Sequence, residues 1–430
     1  MSEQAADSLK QAVARGIRRR YRNEWLFKTS GMVALLIGLA FLAFFFVTLI
    51  GNGYTAFWQT RITLDVPLDA QEIDPDGTRD PDVIAGANFQ GMIRDALRER
   101  FPEVSARGEL RSLFALLSPG ARFELRDRVL ADPSLIGTTL SLSVLADDDV
   151  DMLFKEHSPR DVPEADRRLN DLQIGWIDAM IEAGRVELTF NREFFVSGDS
   201  RDPELAGIRS AAVGSFFMLL VTLVLSFPLG VATAIYLEEF ASRNRWTDLI
   251  EVNINNLAAV PSIVFGLLGL SLFINLFGLP RSAPLVGGLV LSLMTLPVII
   301  IASRAALTAV PPSIREAALG LGASKMQVVF HHVLPLAMPG MLTGTIIGMA
   351  RALGESAPLL MIGMVAFIVD VPSSPVDPAT ALPVQVYLWA DSPERAFVER
   401  TSAAIMVLLL FLLLMNAIAI ILRKRFERRY

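Results

Sequence analysis

The feature that most constrains the fold of this chain is a set of six long apolar runs. Each holds about 20 residues or more, the length that a helix needs to cross the hydrocarbon core of a bilayer. The composition agrees, since 52% of the 430 residues are hydrophobic and the mean hydropathy is +0.46. The sequence therefore predicts an all-α polytopic membrane protein with about six transmembrane helices. The runs are 31–50, 211–236, 258–279, 284–302, 338 to about 369, and 403–422, of which the fifth is long enough to bend or re-enter.

Basic residues flank both ends of this set of runs. Because positively charged flanks stay on the cytoplasmic side and an even number of spans returns the chain to the same side, both termini are predicted to be cytoplasmic. The segment 51–205 then lies outside, the loops 237–256 and 303–337 lie inside, and 370–402 lies outside. The basic residues are Arg15, Arg18, Arg19, Arg20, Arg22, Arg423, Lys424, Arg425, Arg428 and Arg429.

The outer segment 51–205 is long enough for a domain of its own. It is acidic, with 30 acidic and 17 basic residues between Gly51 and Glu204, which argues against nucleic acid as a partner. Residues 62–66 and 186–190 alternate between apolar and polar residues as half-buried strands do. We therefore expect a small α+β domain inserted between the first two spans. Short amphipathic helices are predicted near 90–100, 109–117 and 122–131.

A run of aspartates within this domain, Asp147 to Asp149 with Asp151, could suggest a calcium site. The spacing lacks the glycine and the distal glutamate of an EF-hand loop. A solvated helix start explains the run more simply, because carboxylates are favoured at helix N-termini. No metal site is predicted. The chain has no cysteine, so no disulfide is expected.

A polar hairpin lies between the fourth and fifth apolar runs. Ser313 with Glu316 three residues later is the pattern of a capping box, which predicts a helix start after two prolines. Gly320 and Gly322 permit the backbone that ends this helix. Ser324 with Gln327 predicts a second capping box, and Pro335 is expected to limit the second helix. On spacing alone, this hairpin is either an ordinary loop or a docking surface for a soluble partner.

The same hairpin resembles the EAA loop of ABC-importer permeases. Glu316-Ala317-Ala318, Gly322 and Leu334-Pro335 match its pattern, whereas His332 stands where a bulky aliphatic residue is usual. The resemblance implies a type I (MetI-like) permease core, in which this loop forms the coupling helices that sit in a cleft of an ATPase subunit. The residues implied in ATPase coupling are Glu316, Ala317, Ala318, Gly320, Gly322 and Pro335.

Arg351 and Glu355 are expected within the membrane, where a charged side chain costs about 2.5–3.5 kcal/mol even on the mildest scale. Their spacing of four predicts that they share one helix face, and Gly354 would let a neighbouring backbone come close. The pair either locks two helices or meets an oxyanion through the arginine's rigid donor fork. Ser356 and Thr343 are further candidates for the translocation path, although such hydroxyls often bond only within or between helices.

Three segments resemble the PstA-type phosphate permeases of this family: 334–344, 350–358 and 381–390. The resemblance covers about residues 206–430. Some members of this group have an extra N-terminal span and a periplasmic domain, and this chain resembles that form. The resemblance places Arg351 and Glu355 in the translocation region. The implied organisation is 1–50, a basic tail and first transmembrane helix; 51–205, a periplasmic domain; and 206–430, the permease domain with its coupling hairpin at 303–337.

The resemblance implies the permease subunit of an ATP-driven phosphate importer in the bacterial inner membrane. The expected partners are a PstC-type permease, a dimeric PstB-type ATPase and a periplasmic PstS-type phosphate-binding protein, and no cofactor is implied. The chain is not expected to be an enzyme, because it lacks the Gly-x-x-x-x-Gly-Lys-Ser/Thr pattern of ATP-binding loops. Three alternatives remain: a permease for another oxyanion such as molybdate or sulfate, a membrane receptor with an outer sensor domain, and a secondary transporter.

Overall fold

The computed structural model of the protein describes residues 3–158, 160 and 162–426. They belong to two compact units, residues 1–52 and residues 53–430. Arg428 and Arg429, which were used to predict the orientation, lie outside the described residues. So do the side chains of Arg15, Arg18 and Arg19.

The first unit is one long helix, α1 (Glu3–Gly53). The helix extends far beyond the predicted run 31–50 because no proline occurs before Pro67. Its part from Arg20 onward is long and apolar enough to cross a membrane. Apart from the buried Leu49, the large apolar side chains in this part are exposed, as a lipid-facing helix requires.

The inserted domain is built on a three-stranded antiparallel sheet. Strand β1 (Trp58–Pro67) lies between β2 (Thr139–Leu145) and β3 (Val186–Phe190). The register pairs Leu64 with Leu142 and Trp58 with Phe190. The sequence predicted β1 and β3 correctly, and the prediction missed β2 although its residues also alternate.

Helices of the inserted domain cover one face of this sheet, where Ile62, Leu64 and Val66 are buried. The three helices predicted by amphipathic spacing are confirmed within a few residues, as α4, α5 and α6. The helices of this domain are α2 (Ala70–Ile73), α3 (Pro81–Ala85), α4 (Phe89–Arg100), α5 (Arg107–Phe114), α6 (Ala121–Ala131), α7 (Asp148–Phe154), α8 (Asp171–Glu182) and α9 (Arg192–Val196).

The remainder of the second unit is helical and carries the other candidate spans. Within the described residues, the chain has five helices long and apolar enough to cross a membrane, or six if one bent pair is counted as a span. The bent pair consists of Arg245–Ala258 and Ser262–Leu276, which meet at 101° around Pro261. The helices are α10 (Arg209–Ile235), α11 (Arg245–Ala258), α12 (Ser262–Gly269), α13 (Pro284–Thr308), α14 (Pro312–Gly320), α15 (Lys325–Gln327), α16 (Leu334–Gly354), α17 (Ala357–Met361), α18 (Leu382–Ala390) and α19 (Ala396–Phe426).

Small residues set the packing of the central helices α13 and α16. A Cβ atom added at Gly344 would lie 2.2 Å from the Ala302 Cβ, and one added at Gly340 would lie 2.7 Å from the Ala306 Cβ. Both pairs are four residues apart on their helices, the spacing that lets transmembrane helices approach closely. This contact fixes which face of α16 is buried and which is left open.

The fifth predicted run does not form one helix. It begins earlier than expected, since the candidate span covers Lys325–Gly354, and it breaks at Glu355 and Ser356 before α17. Pro358 accounts for the break, because in a continuous helix its ring would clash with the carbonyl of Gly354 and it has no N–H to donate to that carbonyl. The structure therefore confirms that this run bends.

Candidate functional site

The hairpin between α13 and α16 places an exposed tip at one end of the helical core. The helix α14 begins directly at Pro312, with Pro311 as its N-terminal cap and no side-chain capping bond. The predicted capping box of Ser313 and Glu316 is therefore wrong, because a proline already fills the first helical position, where no donor is needed. The second capping box, formed by Ser324 and Gln327, is confirmed in both of its hydrogen bonds.

The corner of the hairpin depends on Gly322. Its φ of +84° lies in the left-handed region, and a Cβ at this position would meet no neighbouring atom. Gly320 has an ordinary helical backbone, so only one of the two predicted glycines is needed for the turn. Glu316 and Ala317 are exposed, whereas Ala318 is buried and packs inside the core.

Pro335 does not limit the second hairpin helix, contrary to the prediction. The segment Val328–Val333 winds as a π-helix, and the chain continues into α16 beyond the proline. A π-helical turn shifts the hydrogen-bond pattern, which accommodates a residue that lacks an N–H. The hairpin and the span that carries Arg351 are consequently one helical rod from Lys325 to Gly354.

Apolar side chains that no sequence motif indicated cover the hairpin tip. Leu321 is 91% exposed, and Leu319, Met326 and Phe330 are each about half exposed. The signal available in the sequence was the presence of several large apolar residues in a polar loop. An exposed apolar cluster of this kind marks an interaction surface.

A second feature missed from the sequence is a brace behind the hairpin. The Arg315 guanidinium lies 2.6 Å from the Glu239 carboxylate and donates to the backbone oxygens of Val310 and Leu307 at 2.8 and 3.0 Å. The Lys325 ammonium lies 5.2 Å from the ring centre of Phe240. Both contacts reach the π-helical turn Tyr236–Phe240 that ends α10. Motion of the hairpin would therefore be transmitted to α10.

Arg304 belongs to a neighbouring ion-pair network. It contacts Glu238 at 3.3 Å and Glu251 at 2.8 Å. These contacts connect α13 with α11 and with the end of α10. Because two carboxylates neutralise its charge, these contacts favour a structural role for Arg304.

Arg351 and Glu355 lie at the point where α16 ends. The Arg351 Nε and the Glu355 Oε1 are 3.6 Å apart, which is too long for a strong hydrogen bond. Glu355 lies just past the helix in extended backbone, so the two residues do not share one helix face as predicted. A Cβ at Gly354 would meet nothing, so no backbone of this chain's described residues approaches there.

The Arg351 side chain faces out of the subunit. It is 47% exposed and forms an exposed stripe along α16 with Ile347 and Gly354. Lipid is an expensive surrounding for this charge. The stripe therefore suits a surface covered by protein or a polar path.

The other two predicted translocation residues differ in position. Ser356 follows Glu355 directly and precedes α17, so it lies at the same helix break. Thr343 lies eight residues before Arg351, about 12 Å nearer the start of α16. Its hydroxyl donates to the Pro339 oxygen and accepts a bond from Arg423 at 3.2 Å. The structure brings Arg351, Glu355 and Ser356 together and leaves Thr343 apart.

The aspartate run of the inserted domain forms a helix start, as predicted. Asp147 caps α7 by accepting a bond from the Asp149 N–H. Its side chain is partly buried, however, and this burial raises the pKa of Asp147 to about 8, with added repulsion from Asp148 and Glu204. Burial likewise raises the pKa of Glu204 to about 7. Both shifts are those expected of carboxyl groups that lie close together and are partly withdrawn from water.

Two family models match this chain. Residues 226–430 match the family described as "Binding-protein-dependent transport system inner membrane component", and residues 14–164 match a "Domain of unknown function (DUF3333)". The second match covers the end of the basic tail, the first span and most of the inserted domain.

Curated relatives resemble the permease half of the chain. The phosphate transport system permease protein PstA 1 of Mycobacterium tuberculosis is 34% identical over 52% of this chain and 72% of its own length. The probable ABC transporter permease protein YqgI of Bacillus subtilis is 35% identical over 44% of this chain, which spans 63% of that relative. Among solved structures, the inward-facing MetNI methionine ABC transporter covers 52% of this chain and 95% of its own at 18% identity and a TM-score of 0.42.

The family match and the curated relatives agree with the multi-pass helical core. The chain is a membrane permease subunit rather than an enzyme, since its relatives are the membrane components of transport systems. It belongs to the family of binding-protein-dependent ABC transport permeases, among the PstA-type members.

Proposed function

We propose that this chain is one of two permease subunits of an ATP-driven importer of inorganic phosphate in the bacterial inner membrane. A PstC-type permease would be its membrane partner, a dimeric PstB-type ATPase would bind the hairpin, and a periplasmic PstS-type protein would deliver phosphate. The name and function of the PstA relative support the substrate. The predicted orientation, with both termini cytoplasmic and 51–205 periplasmic, puts the hairpin on the ATP side.

The observation that carries the proposal is the position of Arg351. Its guanidinium lies near the break between α16 and α17, half exposed on the side of α16 that also carries Ile347 and Gly354. A partner permease on this face would enclose the charge in a path between the two subunits. The planar donor fork of arginine matches the oxygens of a tetrahedral oxyanion.

Glu355 would pair with Arg351 when no anion is bound. At 3.6 Å its carboxylate is near enough to attract Arg351 and too far to hold it tightly. An arriving phosphate could therefore replace Glu355 as the partner of the guanidinium. Ser356, next to Glu355, could donate its hydroxyl to the same anion.

Coupling to ATP follows from the helical rod Lys325–Gly354. Its first residue follows the hairpin corner and its last turn carries Arg351, about 39 Å away. Closure of the ATPase dimer would push on the hairpin tip and tilt this rod. The Arg315–Glu239 brace would carry the same movement to α10. Access to Arg351 would then alternate between the two sides of the membrane.

The docking role of the hairpin predicts a loss of ATPase binding in Gly322→Val. A branched side chain is strained at a φ of +84°, by about 1–2 kcal/mol or more, so the corner must rearrange. Co-purification of the ATPase with the permease pair should fall about tenfold. Gly278→Val is the matched control, because Gly278 has a φ of +67° and open space but lies outside the hairpin. Unchanged ATPase recovery with Gly322→Val would contradict the docking role.

A permease for molybdate or sulfate is the nearest alternative. Arg351 offers the same donor fork to each of these anions, so the geometry of this residue does not separate them. Uptake of labelled phosphate by vesicles that contain the complex should persist in a tenfold excess of either competitor. Strong inhibition by one of them would identify that oxyanion as the substrate.

A further inference from the structure

A cavity of about 600 Å³ opens in the inserted domain between α4, α5 and α6. This volume lies in the range of small-molecule sites, about 300–1,000 Å³. The cavity is formed entirely by the inserted domain and is separate from the transport residues. The transport function therefore does not explain it.

Four arginines surround this one cavity: Arg94 on α4, Arg107 and Arg111 on α5, and Arg122 on α6. Arg107 and Arg111 are four residues apart and so share one face of α5. The domain as a whole is acidic, with 30 acidic and 17 basic residues between 51 and 204. A cluster of positive charge in an acidic domain needs a local reason.

None of the four arginines has a carboxylate within 4.0 Å in the part of the chain that the structure describes. Arg94 instead lies 5.3 Å from the ring centre of Phe114, and Arg122 contacts the Gln90 side-chain oxygen at 3.5 Å. Elsewhere in the domain, seven arginines do form ion pairs: Arg61, Arg98, Arg126, Arg160, Arg167, Arg168 and Arg185. The donors around the cavity are thus open to an external anion.

The floor of the cavity is apolar. It is formed by Ile93, Leu97, Leu110, Phe114 and Leu117, of which Leu97 is fully buried. A small inorganic anion would leave this surface uncovered. An apolar or aromatic group attached to the anion would cover it and gain free energy from burial.

Asp147 lies at the inner wall and is the acidic residue that lines the cavity. Because burial raises the pKa of Asp147 to about 8, this carboxyl group is mostly protonated near neutral pH. A protonated carboxyl donates a hydrogen bond and does not repel an anion. The presence of Asp147 is therefore compatible with an anion bound by the four arginines.

We propose that the cavity binds a small organic phosphate, with its phosphate on the arginine rim and its apolar body on the floor. Four guanidinium groups match a phosphate dianion with three free oxygens better than a single carboxylate. The site would lie outside the membrane, in the predicted orientation. This function goes beyond the transport of inorganic phosphate and does not depend on it.

Isothermal titration calorimetry of the full chain in lipid nanodiscs, with phenyl phosphate as the probe, tests this proposal. Phenyl phosphate should bind more tightly than both inorganic phosphate and benzoate. The double variant Arg107→Gln/Arg111→Gln should weaken its binding about tenfold or more, because two charge-assisted contacts are lost. Arg128→Gln, an exposed change on α6 away from the cavity, should leave it unchanged.

Arg351→Ala provides the control that separates this site from the translocation path, and it should keep phenyl phosphate binding at the level of the unchanged protein. Unaltered binding in the double variant would overturn the site. Equal binding of benzoate or of inorganic phosphate would overturn the ligand class.

Discussion

Replacing Arg351 with alanine is expected to lower phosphate uptake about a hundredfold in vesicles that contain the assembled complex. The substitution removes a guanidinium that would give two charge-assisted hydrogen bonds to the anion, each worth about 1.5–3 kcal/mol. Its side chain is half exposed and its contact with Glu355 is loose, so the fold should not depend on it. Uptake of labelled phosphate, normalised to the amount of ATPase in the vesicles, measures the effect.

Arg351→Lys is the matched variant, since lysine keeps the charge and loses the planar fork. We expect it to retain more uptake than Arg351→Ala and less than the unchanged protein. Purification of the intact complex from both variants would show that assembly is preserved. Uptake at the unchanged rate in Arg351→Ala would show that this residue does not contact the anion.

Replacing Lys155 with methionine is expected to destabilise the second unit by about 3–5 kcal/mol, the usual effect of breaking a buried ion pair. The Lys155 ammonium is 2% exposed and lies 2.7 Å from the Asp151 carboxylate and 3.0 Å from the Glu399 carboxylate. Asp151 belongs to the inserted domain and Glu399 to α19, so the lysine joins the domain to the helical core. Without it, two buried carboxylates would face each other unneutralised.

The thermal unfolding midpoint of the purified chain measures this effect, with an expected fall of about 2–4 °C for each kcal/mol. The double variant Lys155→Met/Glu399→Gln should recover part of the loss, because one of the two unpaired charges is then absent. Arg98→Met is the control, since Arg98 forms an exposed ion pair with Asp95 that should contribute little. A midpoint unchanged by Lys155→Met would contradict the bridging role.

Features with a local cause were predictable from the sequence. The membrane spans were predictable from the length of the apolar runs, and β1 from its alternation of apolar and polar residues. The Ser324 cap was predictable from a pattern of four residues. The left-handed backbone of Gly322 followed from the one residue type that tolerates it. The family matches confirm the permease class, which the EAA pattern alone had indicated.

Features that join distant segments were not predictable in this way. Arg315 and Glu239 are 76 residues apart, and no local pattern indicates their contact. The arginine-lined cavity combines three helices, each of which alone is an ordinary amphipathic helix. The missed cap at Ser313 has a different cause, because two adjacent prolines start the helix more directly than a side-chain bond does.

The central claim, that this chain forms half of an ATP-driven phosphate path, is tested most directly by transport. The purified complex of both permeases and the ATPase would be placed in vesicles with the binding protein and labelled phosphate outside. We predict uptake that requires enclosed ATP and stops when ATP is replaced by a non-hydrolysable analogue. Uptake that continues without ATP, or no uptake from an assembled complex that hydrolyses ATP, would contradict the claim.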